Sequence, residues 1–89
     1  MSKLILIVDD DALLRRSLAF NLQRAGYQVA TAATAEDALE AIPINPPDLI
    51  LLDINLPGMD GLDALKSLQL SMDVPVIFLT ARRRELDEV

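Results

Sequence analysis

The chain has 89 residues and a formal net charge of -6, with 52% apolar and only 3% aromatic residues. This length fits one domain with a small aliphatic core, and the apolar content is typical of a globular protein. Cysteine and histidine are both missing from the sequence, which excludes disulfides, thiolate chemistry and the usual zinc or copper sites. Any metal must therefore be bound by oxygen ligands.

Two classes of partner are disfavoured by the same composition. The acidic balance argues against direct contact with nucleic acid, because that affinity depends on clustered Lys and Arg. The apolar stretches are far shorter than the about 18 residues of a membrane helix, and the first is too short for the core of a signal peptide. We therefore predict a cytoplasmic protein without a membrane partner.

Short apolar runs separated by helical patterns predict alternating strands and helices. Four predicted strands occupy residues 4–8, 27–32, 49–53 and 76–80. The first, third and fourth contain continuous apolar runs, which are typical of parallel strands that are buried on both faces. The strands recur roughly every 25 residues, so a fifth would begin past the end of the sequence. The pattern predicts a doubly wound α/β fold with strand order 2-1-3-4 and without a fifth strand or last helix.

The predicted helices have recognisable ends. Asp11 caps the first helix and Gly26 ends it, and the second helix begins after Thr34 and runs to Ile42 before prolines interrupt it. A third helix follows the turn at residues 56–61 and extends to about residue 70. The apolar stripe of the first helix consists of Leu14, Leu18, Leu22 and Ala25.

Polar residues end three of the strands. Asp9 and Asp10 follow the first strand, Asp53 closes the third, and Thr80 closes the fourth. In parallel sheets ligands bind beyond the carboxyl ends of the strands, so these side chains can converge on one site for a hard cation and a phosphoryl group. Each residue also has a purely structural interpretation on its own: helix capping for the first pair, and ordinary strand ends for the others.

The order and spacing of three motifs resemble the receiver domain of bacterial two-component response regulators. The motifs are the apolar strand with Asp9-Asp10, the segment 52–61 that contains Asp53, and the segment 74–82 that contains Thr80. The resemblance covers residues 1–89 and implies a flavodoxin-like fold, although the chain is C-terminally incomplete as a receiver. It further implies a role in phosphorelay signal transduction.

The resemblance assigns a role to each motif residue. Asp53 is the implied phosphoacceptor, which takes a phosphoryl group from a phosphohistidine on a sensor histidine kinase. Asp10 and Asp53 are the implied ligands of Mg²⁺, with Asp9 in the outer shell and the backbone carbonyl of Asn55 as a further ligand. Thr80 is the implied switch hydroxyl, which hydrogen-bonds the attached phosphoryl group. The resemblance also implies that the receiver switches a separate output domain, which regulates transcription and is not present in this chain.

One departure from the family pattern is serious. The resemblance calls for a Lys at the end of a fifth strand, whereas the lysines here are Lys3 and Lys66. Slow phosphotransfer is therefore expected, and the exposed edge of the fourth strand is a predicted site of self-association. The domain would not be an enzyme beyond catalysing its own phosphorylation and dephosphorylation.

Two other functions compete with the phosphorelay. One is a truncated or phosphorylation-independent interaction module on the same scaffold. The other is a phosphohydrolase of the haloacid dehalogenase type, which also forms an aspartyl phosphate with Mg²⁺. That family needs a second Asp two residues after the nucleophile, where this chain has Asn55, and the substitution argues against it.

Overall fold

The computed structural model describes residues 2–53 and 74–79. These residues form four strands and two helices. In chain order they are β1 (Leu4–Val8), α1 (Ala12–Arg24), β2 (Gln28–Ala32), α2 (Ala35–Ile44), β3 (Leu49–Asp53) and β4 (Val76–Leu79).

The four strands form one parallel sheet in the order β2-β1-β3-β4, which confirms the predicted fold and strand order. β1 is central and pairs with β2 on one side and β3 on the other, while β4 pairs with β3. The direction of strand order reverses between β1 and β3, so the switch point lies between the two strands that end in aspartates.

The sheet separates two apolar faces because successive side chains of a strand point to opposite sides. On one face, Leu6, Val8, Ile50 and Leu52 pack with residues of α2 in the buried core. On the other face, an apolar groove of about 450 Å³ lies beside α1, lined in part by Leu22 of the helix and Leu49 and Leu51 of the sheet. The buried core therefore lies mainly between the sheet and α2.

The end of α1 has the hydrogen bonds of a Schellman motif. Gly26 has a φ of +102°, its amide donates to the Gln23 carbonyl at 3.0 Å, and the Tyr27 amide donates to the Leu22 carbonyl at 3.1 Å. Glycine suits this position because a Cβ disfavours positive φ. The prediction that Gly26 ends the helix is confirmed, but Tyr27 belongs to this turn and β2 begins at Gln28. Ala25, predicted to join the apolar stripe, is exposed.

The predicted end of the second helix is wrong. α2 continues through Pro43 to Ile44, and the Asn45 amide donates to the Ala41 carbonyl at 3.0 Å. Proline lacks one amide donor and crowds the carbonyl four residues earlier, but here it lies in the last turn, where one missing bond does not prevent the helix from closing. Thr34 caps the beginning of the helix as expected.

Several predicted features lie outside the described residues. These are the turn at 56–61, the third helix, Asn55, and Thr80 at the end of the fourth strand, whose described part is Val76–Leu79. Among the residues that the structure does describe, no helix is long and apolar enough to span a membrane. The predicted cytoplasmic location stays a prediction.

Candidate functional site

The site lies at the carboxyl edge of the two central strands. β1 and β3 are in register with Val8 opposite Leu52, so the next residues, Asp9 and Asp53, are neighbours at the end of the sheet. Both are buried, with 3% and 7% of their surface exposed. Asp53 is itself a strand residue and pairs with Leu79 of β4, and the residue before it, Leu52, pairs with β1.

Asp9 is hydrogen-bonded through its backbone and its side chain. Its amide donates to the Ala32 carbonyl at 3.1 Å, which joins it to the end of β2. Its carbonyl accepts from Arg15 Nη1 at 2.7 Å, and its Oδ1 accepts from the Asp11 amide at 2.8 Å. The orientation of Asp9 is therefore set by contacts with β2, the loop and α1.

Burial raises the pKa of the Asp9 carboxyl above its usual range. The hydrogen bond from the Asp11 amide opposes this effect, because it stabilises the ionised form, whereas the nearby charges of Asp53, Asp10 and then Asp11 raise the pKa further. Burial and repulsion therefore act in the same direction on the Asp9 carboxyl. A bound cation would relieve both the dehydration and the repulsion.

Asp10 completes a cluster of three carboxylates. One oxygen each from Asp9, Asp10 and Asp53 lies within 4.8 Å of the others, and Asp10 is the exposed member. Three converging carboxylates form an oxygen-only donor set, which suits Mg²⁺ because this ion prefers hard oxygen ligands and retains several waters. The residues present therefore fit the ion that the sequence resemblance implies, with a solvent-facing side at Asp10.

The first turn of α1 shapes the loop that carries Asp10. Asp11 is the N-cap, and its Oδ1 accepts from the Leu13 and Leu14 amides at 3.0 and 3.1 Å. Arg15 lies one turn further along the helix and reaches back to the Asp9 carbonyl. Helical side chains point toward the N-terminus, so an Arg four residues after an N-cap was the signal in the sequence that could have identified this contact.

The site predicted from the sequence is thus described only in part. Asp9, Asp10 and Asp53 come together as expected. Asn55 and Thr80 lie outside the described residues, and the roles of all five residues stay predictions.

Comparison with known proteins gives a consistent result. The family model described as response regulator receiver domain matches residues 5–89. The chain belongs to the response regulator receiver family. This agrees with the sequence resemblance and with the parallel sheet whose carboxyl edge carries the aspartates.

Similar proteins are transcriptional regulators and receiver domains. The chain is 45% identical over 89 residues to the transcriptional regulatory protein AfsQ1 of Streptomyces coelicolor, covering 100% of this chain and 39% of that protein. It is 43% identical over 90 residues to the alkaline phosphatase synthesis transcriptional regulatory protein PhoP of Bacillus subtilis, covering 100% of this chain and 38% of that protein. The receiver domain thus spans about two fifths of the length of these curated relatives.

A solved structure supports the fold assignment. The N-terminal domain of a response regulator/sensory box/GGDEF 3-domain protein from Carboxydothermus hydrogenoformans has a TM-score of 0.82 and 42% identity, over 91% of this chain and 66% of that one. The family match and the curated relatives together support a receiver domain of two-component signalling.

Proposed function

We propose that this receiver domain accepts a phosphoryl group on Asp53 from a sensor histidine kinase, with Mg²⁺ bound at the carboxylate cluster, and thereby regulates an output in transcription. The observation that carries the proposal is the convergence of Asp9, Asp10 and Asp53 at the switch point of the sheet. The names of AfsQ1 and PhoP as transcriptional regulatory proteins support the kind of output.

Asp53 is the best nucleophile among the three carboxylates. Asp9 uses Oδ1 to accept the Asp11 amide, so this oxygen already has a hydrogen-bond donor. Asp10 is exposed, so its carboxylate is well hydrated. Asp53 combines burial with a backbone that is paired within the sheet, which favours a defined direction of attack.

The transfer step forms one bond and breaks one. An oxygen of Asp53 attacks the phosphorus of a phosphohistidine, a P–O bond forms, and the P–N bond breaks with its electron pair returning to the imidazole nitrogen. The product is an acyl phosphate on Asp53. When bound, Mg²⁺ supplies the positive charge that lets one anion approach another.

The other site residues have supporting roles in this proposal. Asp10 and Asp53 bind the metal directly, Asp9 acts from the outer shell, and the Asn55 carbonyl is a further ligand. The Thr80 hydroxyl donates a hydrogen bond to the attached phosphoryl group and so couples phosphorylation to a change of conformation. The partners are the kinase and an output domain.

Phosphorylation with a small donor tests the acceptor. The chain is incubated with acetyl phosphate and Mg²⁺, and the acyl phosphate is trapped and mapped by mass spectrometry. We expect label on Asp53, none above background in Asp53→Asn, and a loss of about 10²-fold in rate for Asp10→Asn. Asp37→Asn is the matched control, because it removes one carboxylate in the first turn of α2, and it should label like the parent.

Label at another aspartate, or undiminished labelling of Asp53→Asn, would contradict the acceptor assignment. A chain that stays unlabelled while it folds and binds Mg²⁺ would instead favour the phosphorylation-independent interaction module. The kinase partner is tested separately with a histidine kinase that carries radiolabelled phosphate on its histidine. Transfer of that label to the parent but not to Asp53→Asn is the expected result.

A further inference from the structure

The backbone of the site is connected to α1 through one side chain that no sequence motif assigned. Arg15 Nη1 donates to the Asp9 carbonyl at 2.7 Å in a partly buried setting. The Arg15 amide also donates to the Asp11 carbonyl at 3.0 Å, as part of the first helical turn. Arg15 therefore contacts the residues on both sides of Asp10.

The contact bears on Asp10 because of peptide geometry. The Asp9 carbonyl and the Asp10 amide belong to one planar peptide unit, which also contains the Asp10 Cα. Fixing the direction of the Asp9 carbonyl therefore fixes the plane from which the Asp10 side chain projects. A guanidinium is well suited to this task, because charge-assisted hydrogen bonds are shorter and stronger than neutral ones.

We propose that Arg15 is a positioning residue for the metal site, which holds the Asp9–Asp10 peptide so that the Asp10 carboxylate points toward Asp53. The inference rests on the proposed function only in taking Mg²⁺ as the ligand of the cluster. Arg15 acts through the peptide and does not itself contact the ion. In other metal sites, hydrogen-bond partners of the ligands orient them without contacting the ion, and Arg15 has the same kind of role for Asp10.

The neighbouring residue offers a matched control. Arg16 is on the same turn of α1 and is exposed, and both arginines line a groove between α1 and the edge strand β2. Arg15→Gln and Arg16→Gln each remove one positive charge from the same turn of α1, but only the first removes the guanidinium that donates to the Asp9 carbonyl. A difference in Mg²⁺ affinity between the two variants therefore distinguishes the effect of the hydrogen bond from the effect of the charge.

The experiment measures Mg²⁺ affinity by NMR titration of the 89-residue chain at low and high salt. We expect Arg15→Gln to weaken Mg²⁺ binding about tenfold at both salt concentrations, and Arg16→Gln to bind like the parent at high salt, where the surface charge is screened. In metal-free buffer the Asp10 amide resonance should move in Arg15→Gln and stay in place in Arg16→Gln. Urea unfolding confirms that both variants remain folded.

A lysine variant provides the second test. Arg15→Lys keeps the charge but replaces the planar fork with a single ammonium on a flexible four-carbon stem, and the whole side chain reaches less far, so we expect it to retain most of the tenfold loss. Full recovery in Arg15→Lys, equal weakening in both glutamine variants, or parent-like binding by Arg15→Gln would overturn the proposal. If the parent itself shows no response to Mg²⁺, the metal site of the proposed function fails and this inference fails with it.

Discussion

The two described helices pack on opposite faces of the sheet and are stabilised in different ways. α2 buries Ala35, Ala38 and Ile42, whereas α1 has no fully buried residue although it is the longer helix. α1 instead has local signals at both ends: the side chain of Asp11 at its start and the Gly26 turn at its end. Packing holds one helix in place, and capping contributes more to the other.

The difference between the helices separates stability from function. The residues of α2 that pack into the core cover one face of the sheet and have no direct part in the proposed carboxylate site. The first turn of α1 contacts Asp9 directly through Arg15. Substitutions in α2 should therefore change the free energy of unfolding, and substitutions at the start of α1 should change the site.

The largest effect is expected from truncating the largest buried side chain of α2. Ile42 is 1% exposed, so Ile42→Ala should lower the free energy of unfolding by about 3 kcal/mol, from lost burial and the cavity left behind. Leu18→Ala on the half-buried face of α1 should cost about 1 kcal/mol, because less apolar surface is involved. Urea unfolding measures both, and equal costs would contradict the comparison.

A smaller change is expected when the buried carboxylate of Asp9 is neutralised. Because its pKa is raised in the folded protein, the unfolded chain releases this proton at lower pH than the folded one. The contribution of this group to the free energy of unfolding therefore decreases as the pH rises above about 4, where the pKa of an Asp side chain usually lies. Asp9→Asn should remove that loss and stabilise the metal-free protein at neutral pH.

Urea unfolding in EDTA across pH measures the effect of Asp9. The Asn side chain keeps an oxygen that can accept from the Asp11 amide, so the loop contact is retained. Parent and variant should converge as pH falls below about 4. If the parent is the more stable protein at pH 7 without metal, burial of the Asp9 carboxylate is not the dominant electrostatic effect.

Changing the end of α1 tests how far that helix depends on local signals. The Cβ added by Gly26→Ala would have no atom within 4 Å, yet the φ of +102° at this position disfavours any side chain. We expect a loss of about 1 to 2 kcal/mol from backbone strain alone. Ala25→Gly is a neighbouring control at an ordinary φ of -81°, and it should cost less. A neutral Gly26→Ala would show that the Schellman turn can rearrange at little cost.

The sequence was sufficient to predict the features that depend on the pattern of apolar residues and on the order of the strands along the chain. The central strands β1 and β3 are apolar runs in the sequence. The position of Asp53 at the end of the second of these runs predicts its place at the end of β3. The continuation of α2 through Pro43 was missed because a proline rule describes helix interiors, whereas Pro43 lies in the last turn. The position of Arg15 four residues after the N-cap indicates a side chain that points back toward the loop, but residue types alone do not specify which backbone carbonyl accepts from it.

The smallest effects are expected from the two N-caps, and their difference completes the comparison of the helices. Asp11 accepts two helix amides, and α1 has no acidic residue in its first turn. Thr34 accepts only the Asp37 amide among the described contacts, while Glu36 and Asp37 add favourable charge at the start of α2. Asp11→Ala should therefore cost about 1 kcal/mol or slightly more, and Thr34→Ala about half as much.

Urea unfolding in EDTA gives these two values, and amide hydrogen exchange at Leu13, Leu14 and Asp37 locates the loss in the matching helix. Asp11→Ser separates capping from charge, because a serine hydroxyl accepts the same amides without a carboxylate. It should recover most of the stability of α1. If Thr34→Ala proves the more costly change, α2 depends on its cap as well as its packing, and the contrast between the helices would have to be abandoned.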